Sequence, residues 1–115
     1  MTYGEPLFEE KMFFFPRYRV AVYWDSLVVS HWPYQFVIPL SDVVDVKVVE
    51  KIPWYVGYGF EALPFGRVVY FRFRPGHWVE VEKSSGFWRK LVLTVKDVDR
   101  FLEIINRQRP FRQRF

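Results

Sequence analysis

The string His77-x-x-Glu80-x-Glu82 is the closest approach to a metal-ligand motif in the chain. Imidazole nitrogens and carboxylate oxygens bind divalent metals, but a site needs three or four of them in fixed geometry. Strand alternation puts Glu80 and Glu82 on one face, whereas His77 falls in a turn and no further ligand is evident. We therefore expect no metal and no cofactor. The other histidine, His31, is expected opposite Val20 at the edge of the core.

Three basic residues near the start of the chain, Lys11, Arg17 and Arg19, could together hold an anionic headgroup. Such a loose pattern arises easily in a chain with 17 Lys and Arg residues. The phenylalanines at 13–15 lie within it and must be placed either in the core or at a membrane surface. These cations are an anion-site candidate that ranks below the aromatic surfaces described next.

Residues 107–115 alternate arginine with aromatic residues and contain no acidic residue. Four of the 17 basic residues lie here, so the rest of the chain is balanced at 13 basic and 13 acidic residues. Such a segment can clamp phosphates and stack on bases, lie on an anionic membrane, or dock on protein, including a second copy. A solvated, frayed terminus is the alternative. The candidate contact residues are Arg109, Phe111, Arg112, Arg114 and Phe115.

Four aromatic residues crowd a segment that also contains Pro53, Gly57 and Gly59. Aromatic side chains on such a loop could line a pocket or anchor a protein interface. Alternatively, two of them complete the core while the others cover its rim. The four residues are Trp54, Tyr55, Tyr58 and Phe60.

No known arrangement of catalytic residues is recognisable in the sequence. The chain has no cysteine, which excludes cysteine nucleophiles, thiolate metal sites and disulfides together. It has no glycine-rich phosphate loop and no nucleophile elbow. Asp97 and Asp99 are close in sequence, but a helix would point them apart. We therefore expect a protein that is not an enzyme.

The length and composition favour one cytoplasmic domain. The chain has 115 residues, half of them apolar, which suits a single core. No apolar run approaches the roughly 18 residues of a membrane-spanning helix, and no secretory signal is visible. The lack of cysteine fits a reducing compartment. Only four amide side chains are present, a composition similar to that of proteins from hot environments.

Short β-type runs separated by turn signals extend from about residue 7 to residue 93. The runs Arg17–Trp24 and Leu27–Trp32 predict a hairpin around a two-residue Asp25-Ser26 turn. This register places Trp24 opposite Leu27, so both lie on the core face. Further strands are predicted at 35–38 and 43–50, and residues 53–66 are predicted as loop with room for a short strand.

A second hairpin is predicted from the runs at 67–74 and 78–83. A three-residue loop at 75–77 places Arg72 opposite Glu80 and Tyr70 opposite Glu82, which joins opposite charges and keeps the apolar faces together. A strand at 88–93 then continues the sheet, with Glu82 opposite Lys90.

Helical spacing of apolar residues occurs only at the end of the chain. It predicts a helix over Val95–Gln108, with Thr94 as N-cap, Asp97 near the positive end of the helix dipole, and an ion pair of Glu103 with Arg107. Pro110 prevents extension. Many short antiparallel strands with one terminal helix predict a mostly β fold, either a barrel or a two-sheet sandwich capped by the helix.

Three segments in this order resemble the small prokaryotic pleckstrin-homology-like domains, or bacterial PH domains. They are Ile38-Pro39-Leu40-Ser41-Asp42-Val43, the aromatic stretch 53–60, and Leu91-Val92-Leu93-Thr94 leading into the helix. The resemblance implies two roughly orthogonal sheets of about seven strands with a helix over one open corner. It also implies a binding or assembly module, and some members form homo-oligomers. Many relatives carry transmembrane helices, which this sequence lacks.

The sequence therefore predicts a single PH-like domain over residues 1–115, with 109–115 as a basic tail that could be flexible. The favoured function is non-enzymatic interaction or assembly through the aromatic segment and the tail, with a second copy of the chain, in a homo-oligomer, as the favoured partner and another protein as the alternative. The alternative is an anion-binding module whose tail arginines contact nucleic acid or acidic lipid.

Overall fold

The computed structural model describes residues 5–11, 18–31, 34–57, 59–72 and 76–108. Within these ranges the chain is mostly β, with two sheets and one C-terminal helix, as predicted. Among the described residues, the two sheets share no hydrogen-bonded strand pair and neither sheet closes on itself, which matches the two-sheet alternative rather than one closed barrel. The chain forms two compact units, residues 1–41 with 99–115 and residues 42–98.

The first unit contains a four-stranded antiparallel sheet in the order β1-β2-β3-β4. Strand β1 lacks a clear sequence signal because three of its four residues are charged. A 3₁₀ turn, Leu40–Asp42, follows the last strand. The strands are β1 Phe8–Lys11, β2 Tyr18–Val22, β3 Ser26–His31 and β4 Tyr34–Pro39.

The β2–β3 hairpin differs from its predicted register by two residues. Val22 pairs with Leu27, so the turn residues are Trp24 and Asp25 rather than Asp25 and Ser26. Trp24 is therefore 69% exposed in the turn and does not belong to the core face.

The same shift moves His31 from its predicted place opposite Val20 to a place opposite Tyr18, where it is half-buried. Because side chains alternate along a strand with a period of two, a shift of two residues leaves each one on its predicted face. The predicted core residues of this hairpin are accordingly buried: Val20, Val22, Leu27 and Val29.

The second unit contains a five-stranded sheet in the order β5-β8-β9-β7-β6. All neighbouring strands are antiparallel except β7 and β9, which are parallel. The strands are β5 Val43–Val49, β6 Gly59–Leu63, β7 Val68–Arg72, β8 His77–Lys83 and β9 Lys90–Val95.

The sequence predicts that β7 and β8 pair directly as a hairpin, but β9 lies between them. After its first residue, every residue of β9 is buried, and a strand buried on both faces belongs in the centre of a sheet. The predicted pairs of Arg72 with Glu80 and of Tyr70 with Glu82 are therefore wrong. The predicted pairing of Glu82 with Lys90 is confirmed.

The helix α1 spans Val98–Gln108 and begins three residues later than predicted. Thr94, the predicted N-cap, is buried in β9, where its hydroxyl donates a hydrogen bond of 2.7 Å to the carbonyl of Phe71. Asp97 stands directly before the first helical residue and so occupies the N-cap position instead.

One face of α1 is buried through Phe101, Ile104 and Ile105. The ring of Phe101 meets that of Phe8 edge to face, with centroids 5.4 Å apart. On the exposed side of the helix, the predicted pair of Glu103 and Arg107 forms with an N–O distance of 2.9 Å.

Candidate functional site

The aromatic loop, defined here as Pro53–Gly57, joins β5 to β6 and is anchored by one buried side chain. Val56 is buried and packs with Tyr70 and Val92 on one face of the five-stranded sheet. Partly buried apolar side chains surround this contact: Ile52, Leu63, Val68 and Trp78. The middle of the loop is thus part of an apolar cluster of the second unit.

Polar contacts fix the backbone of the loop on both sides of this anchor. Arg72 donates through Nη1 to the carbonyl of Val56 at 2.6 Å. The Gly57 amide donates to Oε1 of Glu61 at 3.0 Å, and the Val56 amide donates to the carbonyl of Pro53, also at 3.0 Å. The loop therefore has a defined conformation set by its own turn and by two strand side chains.

The guanidinium of Arg72 lies over the indole ring of Trp78, 5.1 Å from the ring centroid. Cation–π contact and the hydrogen bond to Val56 hold the same side chain at two points. Arg72 lies on β7 and Trp78 lies on β8, and β9 runs between these two strands. The arginine side chain therefore reaches across β9 to the indole ring. The loop is thereby tied to the centre of the sheet.

Trp54 and Tyr55 project outward from this anchored loop. Trp54 is 91% exposed and Tyr55 is exposed as well. Their rings meet edge to face, with centroids 5.8 Å apart and planes at 83°. A large aromatic side chain exposed to this extent on an ordered loop is a candidate contact residue for another molecule.

The other two aromatic residues of the sequence motif have different positions. Phe60 lies in β6, opposite Phe71 of β7, and packs its ring edge to face on that ring at 5.3 Å. It is therefore a packing residue of the sheet rather than part of the exposed surface. Tyr58 lies outside the described residues.

Tyr70, which packs against Val56 of the aromatic loop, has a phenol whose pKa is raised. Burial raises the pKa of Tyr70 above its usual value, and the nearby Tyr55, Glu80 and Glu61 raise it further. Glu80 is in turn approached by two lysines, Lys47 at 3.7 Å and Lys90 at 3.9 Å. The charge of Glu80 is therefore paired, and the Tyr70 hydroxyl stays protonated at neutral pH.

The predicted cation cluster is only partly described, because Arg17 lies outside the described residues. Arg19 donates through Nε to Glu9 at 2.6 Å and through Nη2 to the hydroxyl of Tyr23 at 2.7 Å. Lys11 lies 3.8 Å from the same glutamate. The structure thus gives both described cations a carboxylate partner, which reduces their capacity to hold an anion.

The remaining sequence candidates bear less on a site. His77 is the first residue of β8 and is exposed, and the part of the chain that the structure describes contains no group of three His, Asp or Glu side chains that could hold a metal. The tail residues Arg109, Phe111, Arg112, Arg114 and Phe115 lie outside the described ranges.

Two turns of the second unit form a further aromatic and basic cluster that the sequence motifs did not single out. Arg67 places its guanidinium 5.3 Å from the ring centroid of Phe87, and its carbonyl accepts the Arg89 amide at 2.9 Å. Phe65 is exposed in the first of these turns. The turn signals in the sequence, Pro64 and Gly66 in one turn and Ser84-Ser85-Gly86 in the other, do not indicate that the two turns meet.

The chain matches no protein-family model, no curated protein and no solved structure. Among the residues described here, no helix is both long enough and apolar enough to cross a membrane. What the protein binds has to be inferred from its own residues.

Proposed function

We propose that this chain is a non-enzymatic, PH-like interaction module that binds a partner protein through the aromatic loop. The observation that carries the proposal is Trp54, which is 91% exposed on a loop held by Val56, Arg72 and Glu61. Tryptophan is enriched among the few residues that dominate protein interfaces, because it buries a large area with little loss of conformational freedom. A protein that offers an apolar pocket is the partner that fits such a side chain.

The anchoring of the loop favours binding in a second way. Association costs free energy when it orders mobile segments at the interface. Here the turn, the Arg72 hydrogen bond and the Glu61 hydrogen bond order the loop before any partner arrives. The free energy gained by burying Trp54 is then available for affinity.

The alternative of anion binding has less support among the described residues. Arg19 and Lys11 share Glu9, and Lys47 and Lys90 approach Glu80. The tail arginines on which this alternative depends lie outside the described residues. Three segments of the sequence, including the aromatic one, also resemble bacterial PH domains, whose role as binding or assembly modules agrees with the proposal.

A peptide selection tests this function. The folded chain is immobilised, peptides that bind it are enriched from a random display library, and their affinities are measured in solution. Trp54→Ala is compared with Trp24→Ala, because Trp24 is also exposed, at 69%, but lies in the β2–β3 turn. The two variants remove the same atoms from different surfaces.

We expect enriched peptides to bind Trp54→Ala about thirtyfold more weakly than wild type, the loss typical of an interface tryptophan. Trp24→Ala should bind them as wild type does. Failure to enrich any peptide, or equal affinity of the wild type and Trp54→Ala for the peptides, would reject the proposal. Circular dichroism of both variants establishes that each remains folded.

A further inference from the structure

Strand β4, Tyr34–Pro39, is an edge strand of the four-stranded sheet and contains no charged residue. Its sequence is Tyr-Gln-Phe-Val-Ile-Pro, and Val37 at its centre is 42% exposed. An edge strand presents unpaired backbone groups, so a long apolar one is a template for a further strand.

The other three edge strands of the described sheets carry features that oppose such pairing. Strand β1 has three charged residues in four. Strand β5 contains Asp45 and Lys47 and has an irregular register between Val43 and Asp45. Strand β6 contains Glu61 and begins at Gly59, whose φ is +99°. Charges and bulges are among the usual protections of a sheet edge, and β4 has neither; its one proline, Pro39, is the last residue of the strand.

The alternation of hydrogen-bonded and non-hydrogen-bonded residue pairs in the sheet identifies which backbone groups of β4 point away from β3. The Tyr23 amide donates to the Ser26 carbonyl at 2.8 Å, so this pair is hydrogen-bonded. Bonded and non-bonded pairs alternate in an antiparallel ladder. Even-numbered residues of β3 therefore bond to β2, and odd-numbered residues of β3 bond to β4.

The register between β3 and β4 then shows which residues of β4 form hydrogen bonds with β3. Leu27 pairs with Ile38, so the even-numbered residues of β4 use their backbone groups toward β3. The Leu40 amide, which donates to the Asp25 carbonyl at 2.9 Å, continues the same phase. The odd-numbered residues point away from the sheet.

The outward groups belong to Gln35, Val37 and Pro39. Pro39 has no N–H, and proline at an edge is expected where that position faces away from the ladder. The outward donors of β4 are therefore the amides of Gln35 and Val37, and both residues are exposed.

We propose that β4 pairs with β4 of a second copy of this chain, in antiparallel register about a twofold axis. Gln35 then lies opposite Val37 of the second copy, and Val37 opposite its Gln35. The two pairs exchange four hydrogen bonds and use both outward amides of each strand. The absence of charge means that the twofold brings no like charges together, and the two sheets join into one eight-stranded sheet.

This dimer goes beyond the function assigned to the aromatic loop and uses a different surface. The sequence favours a second copy as a partner at the aromatic segment and the tail, and the strand edge provides another place for it. A second copy is the partner that fits β4, because the outward hydrogen-bond donors and acceptors of β4 match those of the β4 strand related to it by the twofold axis.

The test is the molar mass of the full chain by light scattering after size exclusion, over a wide range of protein concentration. The first variant is Val37→Pro, which removes an outward amide and leaves the bonds to β3 in place. The second, Val37→Lys, puts a charge on the edge without any change of backbone and serves if the proline variant does not fold. The matched control is Val48→Lys on the β5 edge, where valine is 45% exposed.

We expect the wild-type mass to rise with concentration from 14.1 kDa toward twice that value. Val37→Pro should raise the dimer dissociation constant at least about tenfold, because two of the four bonds are lost. Val37→Lys should do the same, whereas Val48→Lys and Trp54→Ala should dimerise as wild type does. A wild-type monomer at every concentration, or folded Val37 variants that dimerise as tightly as wild type, would overturn the proposal.

Discussion

Replacement of Arg72 by methionine should release the aromatic loop from the sheet. Methionine keeps most of the length and apolar contact of the arginine stem but cannot donate a hydrogen bond. The variant therefore loses the 2.6 Å bond to the Val56 carbonyl and the cation–π contact with Trp78 at 5.1 Å. The packing of Val56 on Tyr70 and Val92 remains.

The size of the effect follows from these two contacts. A hydrogen bond from a charged donor contributes about 1.5–3 kcal/mol, and a partly buried cation–π contact contributes roughly 0.5–2 kcal/mol. Arg72 is half-buried, so solvent screening places the combined loss near the lower end, at about 2–3 kcal/mol of unfolding free energy. Arg89→Met is the control, because Arg89 is exposed and its side chain donates to the Gly86 carbonyl at 2.7 Å.

Urea unfolding measures the stability of both variants, and limited proteolysis with trypsin measures release of the loop at Lys51. We expect Arg72→Met to lose about 2–3 kcal/mol and to be cut faster at Lys51, whereas Arg89→Met should lose less than about 1 kcal/mol. Equal losses in the two variants, with Lys51 equally protected, would refute the role of Arg72 as the anchor of the loop.

Two further changes test the packing of the second unit. Thr94→Val removes the buried hydroxyl that donates to the Phe71 carbonyl and should lower the unfolding free energy in urea by about 1–2 kcal/mol; an unchanged midpoint would contradict this role. Burial raises the pKa of Asp42, but hydrogen bonds from Ser84 and Ser85 outweigh it and lower that pKa overall. The unfolded state therefore binds a proton more readily, so this stabilisation is full above the ordinary pKa of 3.8 and declines as pH falls below it. Unfolding measured across acidic pH should show a shallower decline in Asp42→Asn, and an identical slope would argue against the pair of serine contacts.

The local features of the fold could be predicted because they depend on neighbouring residues. Alternation places Val20 and Val22 on the buried face whatever the exact register, and helical spacing identifies α1 through Phe101 and Ile105. The two-residue error in the first hairpin arose because Asp25-Ser26 has the residue types of a turn, whereas tryptophan favours strands and so does not mark the turn at Trp24-Asp25.

The order of the strands in the second sheet could not be predicted in this way. A hairpin of β7 with β8 satisfies local charge pairing, but the burial of β9 on both faces decides the order. That burial is a property of the whole unit, and alternation within one strand does not reveal it. The ion pairs of Glu80 with Lys47 and Lys90 follow from the same arrangement.

The sequence identifies the segment of the candidate site but not which of its residues are exposed. Crowding of aromatic residues marks the segment, but it does not distinguish the exposed Trp54 from Phe60, which packs on Phe71. Arg72, which donates to the carbonyl of Val56, is 16 residues from it in sequence, and no local sequence pattern connects the two. The edge position of β4 likewise depends on which strands pair, which the sequence alone leaves open.

We propose Trp54 as the main contact residue of a protein-binding surface. The most direct test is to measure the dissociation constant of one selected peptide for the wild type, Trp54→Ala and Trp24→Ala under the same conditions. Trp54→Ala should bind the peptide about thirtyfold more weakly than the wild type, and Trp24→Ala should bind it as the wild type does. Equal binding by all three proteins, or a loss confined to Trp24→Ala, would contradict it.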